Sequence, residues 1–112
     1  MTIGVTEQQG FVEVRLEGRF VASSVEELKS LLDSHWETVS NVLFDLTKMT
    51  HIDSSGLGTL VQVLQKTRAA GGTTRLACLQ PHPKIVFDIT KVFRVFEIYD
   101  SLDEARASFS RQ

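Results

Sequence analysis

Asp53-Ser54-Ser55-Gly56-Leu57-Gly58 joins two stretches of different periodicity. Ahead of it, Val42-Leu43-Phe44-Asp45-Leu46 is an apolar run of strand length. Behind it, Leu57, Leu60, Val61 and Leu64 recur at the spacing of one helix face. The hexapeptide is therefore the turn from a buried strand into a helix. A hydroxyl there meets unpaired backbone N–H groups and the positive end of the helix dipole. Gly56 and Gly58 carry no side chains, so the helix start is expected to lie open to a partner.

The rest of the chain falls into place around that turn. The central helix is expected from about Ser55 to Ala70, stopped by Gly71-Gly72, with Lys66 and Arg68 near its negative end. Upstream, Ile3 to Thr6 reads as a short edge strand and Glu7 to Gly10 as a turn. Val12, Val14 and Leu16 then alternate with Glu13, Arg15 and Glu17, a strand with one buried face ending at Gly18. Ser23 or Ser24, with Glu26 or Glu27 three residues on, makes a capping box for a first helix. That helix carries Leu28, Leu31, Leu32 and Trp36. Asp45 interrupts the apolar strand and is assigned to bonding the loop backbone.

Downstream, Thr73 to Leu79 reads as a strand, and the lone cysteine, Cys78, as a buried thiol. Pro83 fits the first turn of a third helix carrying Ile85, Val86 and Ile89. Phe93 and Phe96 are expected in the core, and Phe96 to Tyr99 as the last strand. Ser101 and Glu104 form a capping box for a final helix with Leu102, Ala105 and Phe109 inside. Residues 110–112 are expected to fray. The order β-β-α-β-α-β-α-β-α implies one α/β domain over residues 1–112. Its sheet is mixed, with an antiparallel start, then parallel strands, and about four helices.

Composition narrows the function. With 112 residues and a net charge of −2, the chain has no basic footprint for nucleic acid. One cysteine excludes an internal disulfide, and no Cys, His or carboxylate cluster has metal-ligand spacing. No apolar run reaches the ~20 residues of a membrane span, and no signal peptide is evident. A cytoplasmic location is the default. Gly56-Leu57-Gly58 lacks the third glycine of a dinucleotide fingerprint, and no phosphate-loop lysine follows. Neither serine sits in a Gly-x-Ser-x-Gly elbow. His51 could serve as a base for a small serine hydrolase, the most distant reading, but reads better as a solvated loop residue. No cofactor is implied. Two roles stay open for Ser54 and Ser55: an N-cap worth about 1 kcal/mol, or a phosphate acceptor at an electrostatically favourable helix start.

The strand Val42–Leu46, the short loop, Ile52-Asp53-Ser54-Ser55-Gly56-Leu57-Gly58 and the following helix resemble the STAS domain of anti-sigma factor antagonists. The likeness takes in nearly the whole chain, including Glu17-Gly18, Gly71-Gly72 and Asp103-Glu104-Ala105. The resemblance implies a non-enzymatic switch. The unphosphorylated antagonist binds an anti-sigma factor that is also a serine kinase, and so frees the sigma factor. Phosphorylation of the motif serine ends binding, and a phosphoserine phosphatase restores it. By position the acceptor is Ser54, with Ser55 second and better suited to capping. Met49, Thr50, Asp53, Ser54, Ser55 and Gly56 are the implied partner contacts. The resemblance breaks at Gly18-Arg19-Phe20-Val21, where Val21 replaces the family's usual aspartate. A non-switching STAS scaffold or accessory subunit of a signalling or transport assembly accommodates that departure.

Overall fold

The computed structural model describes residues 1–110; of the expected frayed end, Arg111 and Gln112 lie outside the described residues. Two antiparallel strands open the chain, β1 (Thr2–Gln8) and β2 (Phe11–Phe20). A 3₁₀ turn and α1 (Val25–Asp33) follow, then β3 (Val42–Asp45), β4 (Met49–Ile52) and α2 (Ser54–Ala69). The chain continues through β5 (Thr74–Ala77), α3 (Pro81–Thr90), a second 3₁₀ turn, β6 (Glu97–Tyr99) and α4 (Leu102–Ser108). The sheet runs β1-β2-β3-β5-β6, parallel everywhere except β1 against β2.

The alternation in β2 sorts its side chains between two cores. Val12, Val14 and Leu16 are fully buried beneath α1, α2 and α3, together with Val42, Phe44, Leu76, Leu60 and Phe87. Phe11 and Leu43 point the other way, against Ala105 of α4. Burying each large side chain contributes about 1.5–3 kcal/mol. Glu13 shares the α4 face, so it is buried rather than outward-facing as its polarity suggests. Arg106 of α4 meets it with two bonds, 2.6 and 2.8 Å. The hydrogen bond to Glu13 holds the Arg106 guanidinium above its ordinary pKa.

The strand after β3 was not legible as one. The residues between Leu46 and Ile52 read as a loop, yet Met49–Ile52 pairs in parallel with the far half of β2. Gly18 does not end β2. It takes φ +97 at a register shift, and the strand runs on to Phe20. The kink lets β2 pair with β3 first and with β4 afterwards. Asp45 makes the crossing tight, accepting from the Thr47 backbone N–H at 3.1 Å and its hydroxyl at 2.6 Å. That is the loop-bonding role assigned to it.

Other differences are local. The first capping box does not form, because the 3₁₀ turn already puts Ser24 in helical dihedrals. The Ser24 hydroxyl donates instead to the Arg19 carbonyl at 3.3 Å. The helix stops at Asp33, and Trp36 packs in the following turn with the Lys66 ammonium 4.9 Å from its ring centre. Cys78 is half-buried, not buried, in a left-handed conformation at the end of β5. Phe96 is buried, but Phe93 is exposed on the second 3₁₀ turn. Phe87 fills the core position instead. The Ser101 cap does form, its hydroxyl accepting from the Glu104 N–H at 3.3 Å.

Candidate functional site

Three elements converge at the start of α2. The far end of β2 brings Phe20 and Val21, β4 leads into Asp53, and α2 begins at Ser54. The cap is Asp53, not a serine. Its extended backbone aims one carboxylate oxygen at the Gly56 N–H, 2.8 Å away. The other oxygen accepts from the Ala22 N–H at 3.2 Å. The Asp53 N–H points back to the Phe20 carbonyl, and the Leu57 N–H closes the first turn on the Asp53 carbonyl. One side chain thus caps the helix and ties it to the segment after β2. The Ala22 amide was not foreseeable as a partner, since no sequence signal marks a backbone donor 31 residues away.

Because Asp53 takes the cap, both serines are released from it. Ser54 and Ser55 are the first two residues of α2, and both are exposed. Among the described residues neither hydroxyl has a hydrogen-bond partner, and the Ser54 and Ser55 N–H groups have no protein acceptor. Two open amides at a helix N-terminus beside an exposed hydroxyl suit an anion. The capping role expected of Ser55 is therefore corrected: a stronger acceptor one residue upstream of Ser54 already holds the Gly56 N–H.

The other site residues divide. Thr50 is exposed on β4. Met49 is fully buried in the main core, so its side chain shapes the approach from below rather than meeting a partner. Gly56 is buried, and a Cβ there would lie 2.3 Å from the Phe20 carbonyl oxygen. Its missing side chain serves close packing of α2 on β2, not access. Gly58 is the open one, with nothing within 4 Å of the Cβ position. Ser55 shares a helix face with Thr59, Val63 and Lys66. This face runs into a cleft of about 340 Å³ against α1, lined also by Trp36 and Leu32.

His51 is not a solvated loop residue. It sits on β4 with its ring 4.6 Å from that of His82, edge to face, while its Nδ1 lies 3.0 Å from the Thr50 hydroxyl. The pairing joins β4 to the first turn of α3. Val21, where an aspartate was expected, is half-buried at the mouth of the first 3₁₀ turn. Asp53 is then the carboxylate of this corner, and both of its oxygens are committed to backbone N–H groups.

These bonds set a stability prediction. Replacing Asp53 with alanine removes the cap and leaves the Ala22 N–H without its acceptor, costing about 2 kcal/mol. Thermal unfolding of Asp53→Ala should show that loss, while Ser55→Ala should change stability by less than about 0.5 kcal/mol.

Comparison with known proteins places this geometry. The STAS domain model matches residues 2–105. A candidate anti-sigma factor antagonist of Bordetella bronchiseptica, BtrV, is 26% identical over 110 residues, which cover 97% of this chain and 95% of BtrV. The crystal structure of a candidate anti-sigma factor antagonist from Thermotoga maritima superposes with TM-score 0.89 at 21% identity, covering 97% of this chain and 95% of that one. The phosphorylated form of the Bacillus cell fate determinant SpoIIAA superposes with TM-score 0.77 at 19% identity, covering 96% and 98%. Among the described residues no helix is long and apolar enough to cross a membrane.

Proposed function

The chain belongs to the STAS domain family, and from that premise we propose that it is an anti-sigma factor antagonist switched by phosphorylation at Ser54. The observation that carries the proposal is the division of labour at the start of α2. Asp53 does the capping, so the Ser54 hydroxyl is exposed and unspent beside open helix amides.

Unphosphorylated, the surface around Ser54, Ser55 and Thr50 carries one carboxylate, Asp53, whose charge is held by the Ala22 and Gly56 N–H groups. It docks on an anti-sigma factor with serine-kinase activity and displaces the sigma factor. Transfer of a phosphoryl group to the Ser54 oxygen adds about −1.5 to −2 charges at the middle of that surface. The helix N-terminus welcomes the anion, so the domain keeps its fold. The partner loses its fit, because a charge that was solvated must now be desolvated at the contact. A phosphoserine phosphatase resets the surface. Such chemistry needs ATP and belongs in the cytoplasm.

Val21 favours a second reading. With no aspartate in the loop after β2, the corner lacks one acidic contact for a kinase, and a scaffold that never switches would present the same fold. Incubating the protein with the anti-sigma kinase of its own cell and ATP separates the two. One added phosphate by intact mass, lost in Ser54→Ala and kept in Ser55→Ala, is expected. An unchanged mass would favour the scaffold. The serine-hydrolase reading is weakened by the placement of His51, whose hydrogen bond is to Thr50 and whose ring rests on His82.

A further inference from the structure

Away from the serines, one stretch of surface is apolar and uncovered. Ile85 and Ile89 lie one turn apart on α3, on the side opposite buried Pro83 and Phe87. Phe93 follows on the second 3₁₀ turn, Val92–Arg94, and Val95 just after it. These four are most of the large apolar side chains exposed among the described residues, and Ile89 is 76% exposed. Exposed apolar groups gathered in one segment mark a contact surface more often than isolated ones do.

The rim of this surface is basic. Lys91 and Arg94 have no ion-pair partner among the described residues. Arg68 reaches across from the last turn of α2 and donates to the Val95 carbonyl at 3.2 Å. Lys84 is neutralised by Asp88 at 3.0 Å. Lys91 is also held in the left-handed region, φ 61, at the end of α3. Glycine takes that conformation without strain, whereas a lysine adopts it at a cost. The chain therefore carries a cation beside its most exposed isoleucine where glycine would fold more easily.

The position is remote from the switch. Arg68 puts the surface beside the last turn of α2, 14 residues along the helix from Ser54 and so a rise of roughly 21 Å away. An occupant here need not meet the phosphate. We propose that Ile89, Phe93 and Val95, with Lys91, Arg94 and Arg68, form a second docking surface for an acidic amphipathic helix of a protein partner, used whether or not Ser54 is phosphorylated. Apolar anchors one helix turn apart would pack on Ile89 and Phe93, and flanking carboxylates would meet the three cations. Anionic membrane is the poorer match, since lipid-binding clusters usually carry about four to eight basic residues. A second copy could offer acidic α1, with Glu26, Glu27 and exposed Leu31. That head-to-tail pairing would build rings or filaments, and α1 offers a single exposed large apolar side chain, Leu31, to match Ile89, Phe93 and Val95.

The test places the photo-crosslinker p-benzoylphenylalanine at residue 89 of the full chain, expressed in its own cells, and identifies the joined segment by peptide mass spectrometry. The expected product is a protein segment with apolar residues at helical spacing flanked by Asp or Glu. Its yield should be unchanged by Ser54→Glu and should fall about tenfold in Lys91→Glu with Arg94→Glu. Lys91→Gly should cut the yield while leaving thermal stability equal or higher, which a purely structural lysine would not do. A lipid adduct, a crosslink to a second copy, a segment without acidic residues, loss of the product with Ser54→Glu, or no product at all would overturn the proposal.

Discussion

Gly56→Ala is expected to lower the stability of the fold by about 2 kcal/mol, although alanine is the better helix former. In an unconstrained helix the change would gain up to about 1 kcal/mol. Here the new methyl would lie 2.3 Å from the Phe20 carbonyl oxygen and about 3 Å from both the Phe20 ring and the Ile52 side chain. A backbone oxygen held in the sheet cannot swing aside as a side chain tip can. The start of α2 must move off β2 instead, stretching the Asp53 N–H to Phe20 bond and the Asp53 to Ala22 bond. Overpacking of this kind costs about 3 kcal/mol, which outweighs the propensity gain. Gly58→Ala is the internal control. Its methyl meets nothing within 4 Å, so it should stabilise the fold by about 0.5–1 kcal/mol. Thermal or urea unfolding of the two variants should therefore move in opposite directions. Equal shifts would mean that α2 does not pack on Phe20 as described.

The second large effect concerns binding rather than folding. A phosphoryl group on Ser54 should weaken the complex with the anti-sigma kinase about a hundredfold, equivalent to ~2.7 kcal/mol. Ser54→Asp should reproduce part of that loss, because it supplies one charge and a shorter side chain. The folded state should barely respond. The anion sits over the open N–H groups of Ser54 and Ser55, and its charge falls at the favourable end of the α2 dipole. Loss of affinity without loss of melting temperature distinguishes a surface veto from local unfolding. Val21 sharpens the point. With valine at position 21, the phosphate meets no carboxylate from that residue, and the Asp53 oxygens are already bonded. Repulsion within the domain comes from the Asp53 carboxylate and is opposed by the open amides and dipole at the start of α2, so the main effect is expected at the partner.

The legible parts of this molecule are those written in local periodicity. The alternation of Val12, Val14 and Leu16, the helical spacing of Leu57, Leu60 and Leu64, and the Gly71-Gly72 stop each state an element within a few residues. The mixed sheet follows from their order. The strand Met49–Ile52 did not show itself, because its four residues, one of them histidine, carry too short a pattern. Its partner is the far half of β2, and only the kink at Gly18 makes that half available. Phe93 lies outside the core expected for it, and Phe87, for which the pattern set no expectation, lies inside, for a related reason. Both are aromatic residues near the end of α3, and which one turns inward depends on helix phase set by Pro81 at the first position.

The site was half legible. The hexapeptide marks the helix start, but not which residue caps it. Asp53 and both serines can all accept from an amide two or three residues on, and the choice fell to Asp53 because Ala22 offers its carboxylate a second donor. That long-range bond decides that Ser54 is left over. The burial of Met49 and Gly56 is likewise a tertiary fact, set by the core beneath β4 and by the carbonyl of Phe20.

The most direct test of the switch is a calorimetric titration of the anti-sigma kinase with the domain, unphosphorylated and phosphorylated on Ser54 alone, under one salt condition. The account predicts tight binding of the first form and about a hundredfold weaker binding of the second, with equal melting temperatures. Equal affinities for the two forms would contradict it.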